Sequence, residues 1–129
     1  MERIKELYVV LDNSVGAAGE MARVLRKKHI GVQTIAMFVD SARMCVTRPD
    51  LARKVLEEHG YQTEVREVLR LIVPNRMGVL EELTLKLGNA GINIEYLYCS
   101  LYERMKKGVI ILEVDQPDFA IDLFRNHEW

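Results

Sequence analysis

The sequence predicts an α+β fold built from two consecutive units that share one order of strands and helices. The first observation is an internal repeat, because the segment LDNSVG at residues 11–16 recurs as VPNRMG at residues 73–78. The second is that short runs of β-forming residues alternate with stretches of helical periodicity in both halves of the chain. A sequence that repeats over most of its length indicates a repeated structural unit.

The repeat extends well beyond these two loops. Residues 7–30 match residues 69–92 without a gap, and PDLA at residues 49–52 matches PDFA at residues 117–120 after six extra residues in the second copy. Each copy is roughly 60 residues long and is therefore small enough to be marginally stable on its own. We expect the two units to share a core or a sheet.

The first unit is predicted to contain four strands and two helices. Leu7–Leu11 is an apolar, β-rich run that ends at turn residues, and the stretch after it spaces its apolar residues like a helix. Pro49 suits the first turn of the second helix, and Gly60 suits the residue after its end. The predicted elements, in the order strand, helix, strand, strand, helix, strand, are Leu7–Leu11, Ala17–Lys28, Val32–Val39, Ala42–Thr47, Pro49–His59 and Tyr61–Val65.

The second unit repeats this order but lacks its last strand. Its predicted elements are Val68–Val73, Met77–Ala90, Asn93–Tyr102, Val109–Val114 and Pro117–Asn126. A βαββαβ order with one hairpin gives an antiparallel sheet with both helices on one face, the ferredoxin-like arrangement. We therefore predict two tandem ferredoxin-like units, in which the last strand of the second unit is missing or supplied by another segment.

A missing strand would leave an unpaired sheet edge, and such edges invite pairing. We expect this edge to be filled by the N-terminal arm or by another protomer. The stretch Tyr61–Val73 has no Gly or Pro between its two strands, so it could cross between sheets. The predicted domains are residues 1–65 and residues 66–129, the second of them truncated at its C-terminus.

The composition is that of a soluble globular protein. The chain has 18 basic and 19 acidic residues, a net charge of −1, so it has no basic field that could neutralise a run of nucleic-acid phosphates. It contains no apolar stretch of about 18 residues and no signal-peptide core at its start, so we expect a cytoplasmic protein without membrane contact. Cys45 and Cys99 fit no paired metal-ligand spacing and are expected to be buried free thiols.

No catalytic or metal site is predicted. Ser14 and Ser100 lie in no nucleophile motif, and the acidic residues show no paired-carboxylate signature. The three histidines, His29, His59 and His127, each lie at a predicted helix end, where a cation is favourable. We expect no enzyme activity, no metal and no cofactor.

One segment resembles a known family. The stretch Pro74–Tyr98 (PNRMGVLEELTLKLGNAGINIEYLY) is very similar to the opening strand, turn, helix and strand of the ACT domain, and DNSVGAAGEMARVLRKKHIGVQTI in the first copy is similar more loosely. The resemblance implies a small free-standing protein with two ACT repeats. ACT domains are βαββαβ modules that usually sense amino acids or other small metabolites and regulate enzymes. They associate in pairs, and their effectors commonly lie at the interface, by the loop after the first strand.

That loop is the predicted binding site in both copies. A glycine in the first helical turn lets a ligand approach the backbone, and the helix N-terminus offers unpaired N–H donors to a carboxylate. Asp12, Asn13 and Asn75 are acceptors of the right type for an ammonium group. With the resemblance, these arguments predict ligand contacts at Asp12, Asn13, Ser14, Val15, Gly16, Asn75, Arg76, Met77, Gly78, Val79 and Leu80, with Asn93 and Ile94 contributed across an interface.

A purely structural interpretation of the loops stays open. Asn before a helix is a good N-cap and Gly permits a tight turn, so folding alone could require both. The two loops are also not equivalent, because the second copy has Gly91 and Asn93 where the first has His29 and Gly31. If only one loop binds a ligand, the fuller motif favours the second.

The predicted function is regulatory. We expect a small-molecule ligand, an amino acid, to bind between domains or subunits of a homodimer and so to modulate a partner protein such as an enzyme. The alternative is a ligand-free assembly module or a regulatory subunit of an enzyme complex that uses the same sheets for pairing.

Overall fold

The computed structural model describes all 129 residues as a mixed α+β chain. Six strands and four helices follow one another as β1 (Glu2–Val10), α1 (Ala17–Lys27), β2 (Val32–Met37), β3 (Ser41–Val46), α2 (Pro49–Glu58), β4 (Thr63–Pro74), α3 (Val79–Asn89), β5 (Ile94–Ser100), β6 (Lys107–Val114) and α4 (Pro117–Phe124). None of the four helices is long and apolar enough to cross a membrane.

The chain forms two compact units, each of which takes residues from β1 and from β4. The N-terminal unit is Lys5–Glu67, and the C-terminal unit combines Val68–Trp129 with Met1–Ile4. The second half of β1 and the first half of β4 thus belong to one unit, and their remaining halves belong to the other. The division into domains at residues 65 and 66 stays a prediction.

The N-terminal unit is a four-stranded antiparallel sheet covered by two helices. Its strand order is β2-β3-β1-β4, with Leu7 opposite Met44 in the register of β1 and β3. The core between sheet and helices consists of fully buried apolar side chains, among them Leu7, Val9, Met21, Leu25, Met44, Ala52 and Leu56. These residues recur at every second position in the strands and at helical spacing in the helices, which places both helices on one face of the sheet.

The C-terminal unit has the same layout, and its outer strand comes from the N-terminus. Its strand order is β1-β4-β6-β5, and Met1 packs against a core that contains Leu69, Leu87 and Leu112. The prediction of two ferredoxin-like units with antiparallel sheets is confirmed. Of the two expected sources for the missing strand, the structure has the N-terminal arm.

Exposed ion pairs link this arm to β4 and α4. The Glu2 carboxylate accepts hydrogen bonds from the Arg70 guanidinium on β4, with Nε at 2.8 Å, and Arg3 forms a salt bridge with Asp118 at the start of α4. The arm was not predicted as a strand, since the sequence suggested a start at Leu7. Its residues ERIK are mostly charged and extend only because β4 offers an edge to pair with.

Two pairs of contacts occur at equivalent places in both units. The Gly31 N–H donates to the Thr47 hydroxyl at 2.8 Å, and the Asn93 N–H donates to the Asp115 carboxylate at 2.9 Å. Likewise Arg48 donates to the main-chain oxygen of His29 at 2.6 Å, while Gln116 donates to that of Gly91 at 3.1 Å. The repeat in the sequence is therefore also a repeat of hydrogen bonds, made by different side chains.

One expectation about the thiols is wrong. Cys45 is buried as predicted, but Cys99 is exposed. Cys99 lies on β5, the outer strand of its sheet, so only one side of it has a neighbouring strand. Its apolar sequence surroundings indicated a strand correctly but carried no information about that strand's place in the sheet.

Candidate functional site

Both predicted loops end in a glycine with the same backbone conformation. Gly16 precedes α1 with φ 86° and ψ −6°, and Gly78 precedes α3 with φ 89° and ψ −7°. This left-handed region is strained for most residues with a Cβ, so glycine suits both positions, where the chain turns from strand into helix. Glycine is itself the N-cap residue, and no side chain caps either helix. The interpretation of Asn13 and Asn75 as N-caps is therefore wrong.

The N-terminus of α1 leaves main-chain donors available. The Ala17 N–H bonds to the Ser14 oxygen at 3.3 Å, and the Glu20 N–H bonds to the Gly16 oxygen at 3.0 Å. The N–H groups of Ala18 and Gly19, which lie between them, have no backbone acceptor, as is usual in a first helical turn. They can donate hydrogen bonds to an anion, and the helix dipole adds a partial positive charge there.

A cavity of about 350 Å³ opens beside this helix start. It is lined by Leu11, Asp12, Ser14, Val15, Gly16, Ala17, Glu20 and Tyr61. A second cavity of about 400 Å³ shares Asp12 and Tyr61 with it and is otherwise lined by Val10, His59, Gly60 and Gln62. The two cavities lie entirely within the N-terminal unit, and together they could accommodate a small molecule.

The cavity has an acidic side. Partial burial, followed by the charges of Glu20 and Asp12, raises the pKa of the Tyr61 phenol above its usual value of 10.0. The hydroxyl thus lies in the field of two carboxylates, which disfavours a further negative charge at that place. A ligand with a cationic group on that side and a carboxylate at the N-terminus of α1 would complement both.

The second predicted loop is engaged in internal contacts. The Asn75 side-chain nitrogen donates to the main-chain oxygens of Tyr102 and Met105, the latter at 2.9 Å, so it fixes the connection between β5 and β6. The Arg76 guanidinium donates to the Glu82 carboxylate and to the main-chain oxygen of Trp129, the latter at 3.0 Å. These two polar side chains already have partners in the protein.

The contacts continue into an aromatic cluster at the C-terminus. His127 lies 3.0 Å from Glu82 and 2.8 Å from Lys86, and its ring meets Trp129 edge-on at 4.2 Å between centroids. Hydrogen bonding from Arg76 lowers the pKa of Glu82, and His127 adds to this effect. His127 therefore acts as a side-chain partner of α3 and not as a cap of its own helix.

The other predicted contact residues divide into exposed and buried ones. Val15 and Met77 project fully into solvent from equivalent loop positions, and Leu80 is half-exposed, whereas Val79 belongs to the core. Asn93 and Ile94 follow the C-terminal end of α3, and this helix of 11 residues is about 16 Å long. Within the unit they therefore lie far from Gly78.

Sequence reasoning missed Glu20 and Tyr61. Glu20 stands in the first turn of a helix, where an acidic residue is expected for reasons of the dipole alone. Tyr61 was assigned only to a strand. The internal repeat could have drawn attention to both residues, because Glu20 aligns with Glu82 and Tyr61 aligns with Trp129. No group of three His, Cys, Asp or Glu side chains is placed to hold a metal ion.

The C-terminal unit matches a known family. Residues 69–124 match the family described as the AHAS small subunit-like ACT domain, so this part of the chain is an ACT-like domain. No curated protein is significantly similar to the chain.

Solved structures share the fold over nearly the whole chain. The protein BT0572 from Bacteroides thetaiotaomicron is 26% identical with a TM-score of 0.86, over 95% of this chain and 87% of that one. The regulatory subunit of aspartate kinase from Thermus thermophilus, in its ligand-free form, is 15% identical with a TM-score of 0.65, over 97% and 96%. The corresponding Thermus flavus subunit is 16% identical with a TM-score of 0.67, over 97% and 90%. The fold of this chain is thus the one that these three solved structures share.

Proposed function

We propose that this protein is a regulatory amino-acid sensor whose ligand binds in the cavity beside α1. The single observation that carries the proposal is that the start of a helix and two carboxylates line one cavity. Gly16 and Ala17, at the N-terminus of α1, line it together with Asp12 and Glu20. The next two N–H groups of the helix, those of Ala18 and Gly19, have no backbone acceptor. An amino acid carries a carboxylate and an ammonium on one carbon, so it can satisfy both sides at once.

The same observation moves the proposed site to the first loop. The sequence motif favoured the second loop, but Asn75 and Arg76 there are bound to the protein itself. Of the predicted contact residues, Asp12, Ser14, Val15 and Gly16 line the cavity. Asn93 and Ile94 remain proposed contacts only for a ligand shared with a second copy.

The ACT-like domain and the likeness to aspartate kinase regulatory subunits support a regulatory role. We infer that the N-terminal unit is a second ACT repeat, because it has the same strand order and the same Gly-to-helix turn as the matched unit. The partner would be an enzyme whose activity changes when ligand binding shifts the sensor between two states. Such a shift requires different ligand affinities in the two states.

Thermal unfolding with each of the 20 amino acids tests the proposal. A ligand that binds only the folded protein raises the unfolding midpoint as its concentration rises. Gly16→Asn should abolish the shift, because Asn tolerates the left-handed backbone while its side chain enters the cavity. Gly91→Asn is the matched control, with φ 78° and open space at the far end of α3. A shift that survives in Gly16→Asn would contradict the site.

A second candidate function, a ligand-free assembly module, is favoured by a different observation. The outer strand β2 exposes Val32, Ile35 and Met37, and Phe38 and Val39 continue the exposed apolar surface. An unpaired edge strand with apolar side chains is a surface for association, and a homodimer through it is our proposal for the assembly.

Analytical ultracentrifugation of Met37→Lys tests the assembly. The charge should convert a dimer to monomers if β2 is the interface. Leu85→Lys, which changes an equally exposed side chain on α3, should leave the mass unchanged. Dimerisation through β2 without any amino-acid effect on stability would favour the assembly module over the sensor.

A further inference from the structure

The two loop glycines differ in whether a side chain of the protein lies beside them. At Gly78, the Arg76 guanidinium lies overhead, with Nη1 4.0 Å from the point where a Cβ would stand. At Gly16, no atom lies within 4 Å of that point, although the backbone conformation is the same. A cation of the protein itself thus lies beside the loop glycine of the C-terminal unit, whereas the corresponding glycine of the N-terminal unit lines a cavity.

Two acceptors hold the guanidinium in the C-terminal unit. They are the carboxylate of Glu82 and the main-chain oxygen of Trp129. By the repeat, Glu82 corresponds to Glu20 and Trp129 corresponds to Tyr61. Both corresponding residues line the cavity beside α1, so the N-terminal unit has a residue at each of the two acceptor positions.

The cation itself is absent from the N-terminal unit. Ser14 stands at the position of Arg76, and its side chain is too short to reach across the cavity. In addition Asp12 replaces Pro74, which brings a second carboxylate to the cavity wall. At this place the N-terminal unit therefore has one positive charge fewer and one negative charge more than the C-terminal unit.

The Glu20 carboxylate is only weakly compensated from its own helix. Arg23 approaches its Oε2 at 3.6 Å, which is beyond hydrogen-bond distance, and both side chains are 58% exposed. Exposed pairs of this kind contribute little and leave the carboxylate able to accept other donors. Its counterpart Glu82, in contrast, accepts a charge-assisted hydrogen bond from Arg76.

We propose that the cavity over Gly16 binds a ligand with a guanidinium group, which takes the place that Arg76 fills in the other unit. Glu20 and the main-chain oxygen of Tyr61 are its acceptors, and Asp12 remains for the ammonium group of the ligand. This inference rests on the proposed function and narrows the ligand to an amino acid with a guanidino side chain. It also implies one site per chain, because the second loop holds its own cation.

Calorimetric titration with L-arginine, L-citrulline and L-lysine tests the ligand class. Citrulline has the shape of arginine without the charge, so it should bind at least about tenfold more weakly, as expected for the loss of a charge-assisted hydrogen bond. Glu20→Gln should weaken arginine binding by a similar factor and leave citrulline binding within about twofold. Equal binding of arginine and citrulline, or of arginine and lysine, would overturn the assignment.

A substitution that copies the second loop into the first gives an independent test. Ser14→Arg should supply the cation internally, abolish arginine binding and raise the unfolding midpoint. Asn89→Arg adds the same charge at the exposed C-terminal end of α3, away from the cavity and from β2, and should leave arginine binding unchanged. Tight arginine binding by Ser14→Arg would overturn the inference.

The outcomes separate this inference from the proposed function. Suppose that a neutral amino acid binds better than arginine and that Gly16→Asn abolishes its binding. The proposed sensor function is then supported, and the proposed preference for a guanidinium ligand is wrong. If arginine does not bind, this inference fails. If the other amino acids also fail to bind, the proposed function fails with it.

Discussion

Arg43 donates a hydrogen bond at 3.2 Å to Glu6, whose side chain has no exposed surface. The pair lies on the sheet face opposite the helices, because Leu7 and Val9 on the same strand point into the core. Arg43 also lies 4.8 Å from the centre of the Tyr8 ring. A buried carboxylate is tolerated only beside such a charge partner, so this face of the sheet depends on the arginine.

Arg43→Met should therefore destabilise the protein by about 3 kcal/mol, since it leaves the Glu6 carboxylate buried without this guanidinium. Urea denaturation measures the change. Arg53→Met, which removes an exposed partner of Glu57 on α2, should cost less than about 1 kcal/mol. Similar losses in the two variants would show that burial of Glu6 does not matter.

Deletion of Glu2–Ile4 should weaken the C-terminal unit rather than the N-terminal one. The deletion removes the strand beside the second half of β4, and the exposed edge should then promote association that depends on protein concentration. Hydrogen exchange should become faster in β4 and β6, and sedimentation should show larger species. The double substitution Glu2→Ala and Arg3→Ala removes only exposed ion pairs and should have a small effect. A monomeric deletion variant with normal exchange would contradict the role of the arm.

Asn75→Ala should loosen the connection between β5 and β6, whereas Asn13→Ala should change little. Asn75 donates to two main-chain oxygens of that connection, and the loss should cost about 1 kcal/mol. Asn13 occupies the same place in the repeat but is exposed. Hydrogen exchange at residues 101–106 measures the effect. Faster exchange there in both variants would show that the two asparagines are equivalent after all.

Acid should destabilise the C-terminal unit through Glu82. Arg76 holds the pKa of this carboxyl below its usual 4.5 in the folded protein, so its contribution is present above that value and is lost as the pH falls through the lowered pKa. Glu82→Gln should therefore flatten the fall of the unfolding midpoint as the pH drops below 4.5. The exposed neighbour Glu81 gives the control, because Glu81→Gln should leave the slope unchanged.

The order of strands and helices could be predicted from the sequence because both copies of the repeat show the same pattern. Apolar runs, the two proline helix starts and the turn residues placed most elements within about two residues of their observed bounds. The exceptions are β1 and β4. The polar start of β1 becomes a strand only through pairing with β4, and β4 is one continuous strand where two were predicted. Pairing between segments far apart in sequence leaves no local pattern.

For the candidate site, the sequence predicts the course of the loop backbone but not the partners of its side chains. The loop and the two glycines follow from local turn chemistry, and both glycines have a positive φ, which permits the tight turn that was predicted. Tyr102, Met105 and Trp129, whose main-chain oxygens accept from Asn75 and Arg76, lie more than 25 residues away along the chain, so no local pattern shows these contacts. Tyr61 reaches the first loop for the same reason, through the fold and not through proximity in sequence.

The exchange of half-strands between the units has a practical consequence for anyone who wants to isolate one of them. If the chain is divided at one point between the repeats, Met1–Ile4 stays with the N-terminal fragment, although these residues belong to the C-terminal unit. A self-sufficient C-terminal module would have to be made by circular permutation, with the segment MERI joined through a linker behind Trp129. The two repeats are consecutive in the sequence, but neither repeat alone contains all the strands of one compact unit.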